Sequence, residues 1–256
     1  MMSIPTGHGF TAIQNLIHID EISSTNALAK EIVEKMVTDD SELFPTVVIA
    51  RRQVAGRGRA GRSWVSPGET SLALSLIVPW PEGPERILLP VKTGIALARG
   101  LSKGFGLPVR LKWPNDLLLG KRKVGGLLIE TRTGADDASY AVIGLGLNVT
   151  TAREALDAAG LPDATSLAIE GASVTGMPEA LDIVLRVLDG SLGEEVPDLP
   201  EAFEAVTTHL PGDRLTVRDG ERVTEGEYLG ITEQGMLRLK TDDGVETLVS
   251  GDVTEF

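Results

Sequence analysis

Apolar residues along this chain follow two periods, and the period changes once. Thr46 to Ala50 and Ser71 to Val78 are nearly unbroken apolar runs, and Leu72, Leu74 and Leu76 share one face, which predicts strands. Leu28, Ile32 and Met36 instead recur at i, i+4 and i+8 with Lys and Glu opposite, so a helix is expected there, capped by Ser23-Ser24-Thr25-Asn26. Residues 1–17 read as a loosely held lead-in, and Pro79 to Pro84 as a turn. Ile87 to Lys103 predicts a helix with Pro90 in its first turn and Ile95, Ala96, Leu97 and Leu101 on its apolar face. Val109 to Trp113 is expected as a strand stopped by Pro114. Leu117 to Leu119 and Gly125 to Glu130 then form a hairpin across residues 120–123. Ala141 to Val149 is a further strand, too apolar to be exposed on both faces, and residues 178–190 and 200–209 give amphipathic helices.

At Leu210-Pro211-Gly212-Asp213 the pattern shifts to short alternating segments separated by Asp219-Gly220, Gln234-Gly235 and Asp243-Gly244 turns. Val217, Tyr228, Leu229, Leu237, Leu239 and Leu248 supply a small core for an SH3-like β-barrel. The expectation is an α+β first domain over residues 1–209, with a mixed, largely antiparallel sheet, and a β-barrel domain over residues 210–256.

Composition narrows the possibilities. The chain has no cysteine, which removes disulfides, thiolate nucleophiles and cysteine-ligated metals, and His8, His18 and His209 lack metal-ligand spacing. No apolar run approaches the roughly 20 residues that span a bilayer, and residues 1–10 lack the signature of a signal peptide, so a cytoplasmic protein with no membrane partner is expected. The net charge is −13, yet residues 51–62 carry five arginines and no acid, and residues 110–123 carry five cations against Asp116. These two windows hold 10 of the 24 basic residues and leave 14 basic against 36 acidic elsewhere. Cations gathered this way point to one focused anion site.

The first window contains Gly56-Arg57-Gly58-Arg59-Ala60-Gly61-Arg62 between two strands. Glycines let backbone N–H groups approach an anion, and arginine forks grip phosphate or carboxylate bidentately. The run matches G-x-G-x-x-G literally but leads into Trp64 and a strand, whereas a dinucleotide fingerprint opens a helix. No P-loop and no G-x-S-x-G elbow occurs. The second window contains Lys112-Trp113-Pro114-Asn115-Asp116, whose proline directs a strand end outward and places Asn115 and Asp116 at an edge. Lys123 follows, and Gly125-Gly126 allows either a bulge or a ligand against the backbone.

Together these elements resemble the biotin–protein ligases. The resemblance rests on Ser24-Thr25-Asn26; on Gln53 with Gly56-Arg57-Gly58-Arg59 and Gly61-Arg62; on Lys112 to Asp116; on Arg122-Lys123 with Gly126; and on Gly144-x-Gly146-x-Asn148. It covers residues 18–150 by motif and the C-terminal segment by pattern. It implies a catalytic domain akin to class II aminoacyl-tRNA synthetase cores, followed by the SH3-like domain. About two dozen residues precede Ser24, so the short form without a DNA-binding domain, and no DNA partner, is expected.

The implied activity joins biotin and ATP, with Mg²⁺, into biotinoyl-5′-adenylate, then passes biotin to a lysine of a biotin carboxyl carrier domain such as that of acetyl-CoA carboxylase. By the same resemblance Lys123 bridges carboxylate and α-phosphate, Arg57 and Arg59 hold the phosphates, and Lys112 and Asp116 complete the catalytic set. Ser24, Thr25, Asn26 and Gln53 take the ureido ring, with Gly56, Arg57, Gly58, Arg59, Lys123 and Gly126 around it. Arg57, Arg59, Arg62, Trp64, Lys112, Asn115, Lys123 and Asn148 serve the nucleotide. Two roles stay open at this stage: Asp116 either helps hold Mg²⁺ or orients the acceptor lysine, and Trp64 packs either on a ligand or in the core. A lipoate–protein ligase shares this chemistry, but Arg51-Arg52 is followed by Gln53-Val54-Ala55-Gly56 rather than by x-x-Gly-Gly-Gly. An Arg-Gly nucleic-acid module is opposed by the acidic charge and scarce aromatics. An exposed sheet edge leaves a homodimer open.

Overall fold

The long apolar runs become the middle of one sheet, and their lack of alternation has a simple cause: both faces are covered. A computed structural model of the chain describes residues 10–39, 44–79, 88–133, 139–173, 176–192 and 196–255. In chain order its first part contains β1 (Asn15–Ile22), α1 (Thr25–Thr38), β2 (Thr46–Gln53), the short β3 (Gly56–Arg57) and β4 (Ser63–Trp64), β5 (Ser71–Pro79) and α2 (Leu88–Phe105). Next come β6 (Val109–Lys112), β7 (Asp116–Leu119), β8 (Arg122–Thr133), β9 (Ser139–Asn148), α3 (Arg153–Ala158), α4 (Met177–Ser191) and α5 (Leu199–Glu204). The last part is β10 (Arg214–Asp219), β11 (Arg222–Ile231), β12 (Leu237–Thr241), β13 (Gly244–Leu248) and β14 (Asp252–Glu255).

Seven strands pair in the order β1-β2-β5-β9-β8-β7-β6, parallel at β1–β2 and antiparallel elsewhere. The mixed, largely antiparallel sheet expected from the sequence is therefore present. Along β2 and β5 the side chains divide by parity. Val47, Ile49, Leu72, Leu74 and Leu76 enter the large core with α2 and α4, while Val48 and Ile77 face α1 together with Val142 of β9. Each fully buried Leu or Ile here contributes roughly 1.5–3 kcal/mol relative to exposure. On α1 the deepest residues are Ala29 and Val33, with Leu28, Ile32 and Met36 packed at their margins.

Some expectations shift. The segment read as a lead-in holds β1, and before it the backbone N–H groups of Thr11, Ala12 and Ile13 donate to the buried Asp189 carboxylate on α4, each at 2.8 Å. These bonds, opposing the cost of burial, hold the Asp189 carboxyl below its usual range. The helix expected over 200–209 ends at Glu204, because residues 206–208 run along the β6 edge instead: Leu111 N–H donates to Val206 O at 2.8 Å and Thr208 N–H to Leu111 O at 3.1 Å. That contact satisfies backbone groups that β6 would otherwise leave open. Residues 1–9 of the lead-in, Ile87, and residues 80–84 of the expected turn lie outside the described residues.

The C-terminal strands form a five-stranded antiparallel sheet in the order β13-β12-β11-β10-β14. This is the small SH3-like β domain expected at the C-terminus, although among the described residues no ladder joins β13 to β14 to close it into a barrel. Leu215, Tyr228, Leu237 and Leu239 belong to the same continuous apolar cluster as the first sheet. At this seam Trp113, 2 % exposed, donates from Nε1 to Gly235 O at 3.0 Å. His209 packs against Tyr228 there, and burial, with the Lys112 charge, pushes its imidazole down to about 4, so it is neutral at pH 7. No helix among the described residues is long and apolar enough to cross a membrane.

Candidate active site

Parity along β9 opens the site. Val142 lies under α1, and Gly144 and Gly146 follow on the same face beyond the helix N-terminus. Without side chains there, the sheet has a bare floor. A Cβ at Gly144 would collide with the Asn26 amide, and one at Gly146 with the Trp64 ring. Gly126 and Leu128 of β8, paired with Gly146 and Gly144, continue the floor into a cleft of about 710 Å³.

At the α1 end the lining is neutral and nearly inaccessible: Ser24, Thr25 and Asn26 are at most 4 % exposed. Ser24 caps α1, accepting from Ala27 N–H at 3.4 Å. Thr25 N–H donates to Gln53 Oε1 at 2.8 Å, which leaves the Gln53 amino group beside Gly56. Asn26 Nδ2 donates to Glu130 Oε2 at 2.9 Å and Leu128 O at 3.3 Å, and its Oδ1 lies 2.6 Å from Ser75 Oγ. Lys30 meets the other Glu130 oxygen at 2.6 Å. Burial opposes the ionised form of Glu130, but Lys30 and Asn26 outweigh it and hold the carboxyl below its usual range.

At the other end the lining is cationic. β3 and β4 form a small hairpin whose tip carries the arginines, with Ala60 at φ 51 and Gly61 at φ 73 turning the loop. Arg59 Nη1 donates to Asn115 Oδ1 at 3.0 Å and Gly251 O at 3.3 Å, and Arg62 pairs with Asp252 at 2.6 Å. Lys123 pairs with Asp116 at 2.6 Å, and its ammonium stands 5.9 Å from the centre of the Trp64 ring. Trp64 thus lies on Gly146 inside the cleft rather than in the core, its Nε1 donating to Ser66 Oγ at 3.0 Å.

The two basic windows do converge. Arg57, Arg59 and Arg62 line the same cleft as Asn115, Asp116 and Lys123, together with Ser24, Thr25, Asn26, Gln53, Gly58, Trp64 and Gly126. Gly56 backs the cleft, its space taken by Gln53 and Trp64. Besides Gly56, two expected residues stand outside the lining. Lys112, cross-strand partner of Asp116, faces the His209 seam electrostatically. Asn148 is buried, donating to Thr165 O and accepting from Ser71 Oγ, both at 3.0 Å. Sequence reading missed Ser75, Glu130 and Lys30. A lone serine inside the apolar run Leu72–Val78 was the available signal.

Comparisons with known proteins agree with this geometry. Residues 20–148 match the model of the biotin/lipoate A/B protein ligase family, and residues 212–254 that of the biotin protein ligase C-terminal domain. The bifunctional ligase/repressor BirA of Escherichia coli is 38% identical over 245 residues, covering 91% of this chain and 71% of that protein. The biotin–[acetyl-CoA-carboxylase] ligase of Mycobacterium tuberculosis is 28% identical over 93% of this chain and 89% of its own length. Among solved structures, biotin protein ligase from Aquifex aeolicus in complex with biotin and ATP superposes with a TM-score of 0.75 at 27% identity, covering 95% of this chain and 99% of that one. With one family model spanning half of its length and the arginine loop, the Lys-Trp-Pro-Asn-Asp strand end and Lys123 gathered on one cleft, this chain belongs to the biotin/lipoate A/B protein ligase family.

Proposed function

We propose that the chain is an ATP-dependent biotin ligase, which activates biotin as biotinoyl-5′-adenylate and transfers it to a lysine of a biotin carboxyl carrier domain, as in acetyl-CoA carboxylase. The observation that carries this reading is one cleft with a neutral hydrogen-bonding end and a cationic end. A small ureido acid and a nucleotide need both. In the first step a biotin carboxylate oxygen attacks the α-phosphorus and pyrophosphate leaves. Two anions must meet, so the barrier is electrostatic, and fixed cations lower it. In this reading Lys123, whose ammonium lies beside Asp116 and Trp64 in the cleft, touches both carboxylate and α-phosphate. Arg57, Arg59 and Arg62 take the phosphates, with Asn115 beside them and Trp64 stacking on a ring of the bound intermediate.

In the second step the carrier lysine attacks the anhydride carbonyl, and AMP leaves. Asp116, released once Lys123 turns to the ligand, is the base available to that amine. Asp116 is the carboxylate of the cleft lining and would be the residue to meet a Mg²⁺ ion brought in by ATP, which would supply charge neutralisation to the phosphates; its engagement with Lys123 fits an ion held chiefly by those phosphates. In this reading residues 1–209 form the catalytic domain, and residues 210–256 an appended domain that grips the loop through Gly251 and Asp252. Lipoate is not favoured as the substrate, because the Mycobacterium tuberculosis and Aquifex aeolicus proteins named above are biotin ligases and a dithiolane ring offers nothing to a donor-and-acceptor set. Biotin-dependent exchange of labelled pyrophosphate into ATP by the purified chain tests the proposal; exchange driven by lipoate and not by biotin would overturn it.

A further inference from the structure

Lys123 reaches the cleft through an irregularity in its strand. Gly126 of β8 faces the cleft and Gly125 the core, where an added methyl would meet Leu117 and Leu147. Strict alternation back from Gly126 would send the side chain at position 124 into the cleft and the one at 123 into the core. The pairing with β7 skips a residue instead: Leu117 stands opposite Gly125 and Leu118 opposite Lys123, so Val124 is extra. This β-bulge puts the fully buried Val124 in the core and lays the Lys123 ammonium over Gly126, 3.3 Å from where a Cβ would be.

A strap of residues 163–165 closes the outer side of the bulge. β9 pairs with β8 only as far as Gly125. Beyond that point Lys123 N–H donates to Asp163 O at 2.9 Å, and Lys123 O accepts from Thr165 N–H at 2.8 Å. Side chains tie the strap down in turn. Arg153, at the start of α3, donates from Nη2 to Ala164 O at 2.6 Å and from Nη1 to Pro162 O at 3.3 Å. One carboxylate oxygen of Glu170 accepts from both the buried Thr165 hydroxyl and Arg122 Nη2, the latter at 2.6 Å. Glu170 therefore joins the strap to the residue immediately before Lys123.

We infer that Glu170 and Arg153 are positioning residues for Lys123: they hold the strap on β8, and the strap locks the bulge that aims the ammonium into the cleft. The inference rests on the ligase reading above, in which that ammonium meets carboxylate and α-phosphate. Neither residue lines the cleft, so each acts through the backbone of Lys123. A lysine stem is flexible, and what the fold can fix is the direction in which it leaves the strand. Loss of the bulge would turn it to the other face, and even a 1 Å displacement of a reacting group can cost about 10²-fold.

Biotin-dependent pyrophosphate exchange by the full chain at saturating ATP and biotin is the readout, with biotin affinity from calorimetry and folding from thermal melts. Glu170→Ala should lower exchange about thirtyfold and leave biotin affinity within about threefold, since the tie lies away from the neutral end. Glu170→Gln keeps an acceptor at the same place and should restore exchange to within about threefold of wild type. Arg153→Ala frees two strap carbonyls and should lose about tenfold. The decisive background is Lys123→Ala: with no ammonium left to aim, adding Glu170→Ala should cost less than about twofold more. Should Glu170→Ala fail to fold, Arg122→Ala severs the same tie from the exposed side and should lose about tenfold. No biotin-dependent exchange by the wild type would overturn the ligase reading itself. Wild-type exchange in a folded Glu170→Ala chain, or an equal loss with and without Lys123, would overturn the positioning role alone.

Discussion

At the α1 end of the cleft, Ser24, Thr25 and Asn26 are buried and engaged, and their partners Gln53, Ser75 and Glu130 sit on three different strands. At the loop end, Lys123 is 39% exposed and Arg62 60% exposed, and each pairs with a single carboxylate. The contrast follows from what burial costs. A neutral polar group in a dry pocket must have its hydrogen bonds in place beforehand, because each one missing costs roughly 1–3 kcal/mol. Buried neutral recognition is therefore prebuilt. Charges would cost more to strip of water, so they remain solvated, held by exposed ion pairs worth about 0–1 kcal/mol that a triphosphate readily exchanges. In the reading proposed above, Asp116, Asp252, Asn115 and Gly251 O stand in for the ligand at these cations.

That contrast can be broken at either end. The largest effect is expected from Lys123→Ala: loss of about 10³-fold in biotin-dependent pyrophosphate exchange, with biotin affinity within about threefold of wild type. Comparable losses in both would merge the two ends into one. Next comes Gly146→Ala, whose methyl displaces the Trp64 ring. Overpacking of about 2 kcal/mol should weaken ligand binding roughly thirtyfold and shift the tryptophan emission on binding; an unchanged emission response would remove Trp64 from the cleft. Arg59→Gly deletes a guanidinium that bridges loop, Asn115 and Gly251, and should speed release of the bound adenylate about tenfold in a chase experiment. An unchanged off-rate would deny the loop any part in retaining the intermediate. The smallest change belongs to Asp252→Asn. An exposed pair gives way easily, so ATP affinity should move less than about threefold and the melting temperature hardly at all. A tenfold loss there would make the C-terminal contact a structural requirement instead of a stand-in.

Much of the fold was legible because buried strands and amphipathic helices write their environment into composition. Ser71–Val78 could only be covered on two faces, and the glycine-rich arginine run could only be a loop on a β scaffold. β1 was not legible: as an edge strand with Asp20 and Glu21 it carries too little apolar periodicity to stand apart from a lead-in. Nor was the early end of α5, because residues 206–208 are amphipathic in either conformation, and the open β6 edge decides between them. For the site, the cations were found by their clustering in two windows, and the neutral quartet through the family resemblance. Asn148 was expected at the nucleotide, but its amide is occupied by Ser71 and Thr165, partners that only the packing supplies.

The amino-acid order by itself determined the chemistry on offer: which segments are strands, which two windows hold the cations, and that no thiol or histidine cluster competes. Local composition and period suffice for these, since they depend on neighbours a few residues apart. Tertiary structure alone decided how those groups are aimed. Lys123 approaches the Trp64 ring, Arg62 reaches Asp252 from 190 residues away, and Asn26 meets Ser75 and Glu130 on two different strands. Such directions arise from contacts between elements distant in sequence, which local composition and period do not encode.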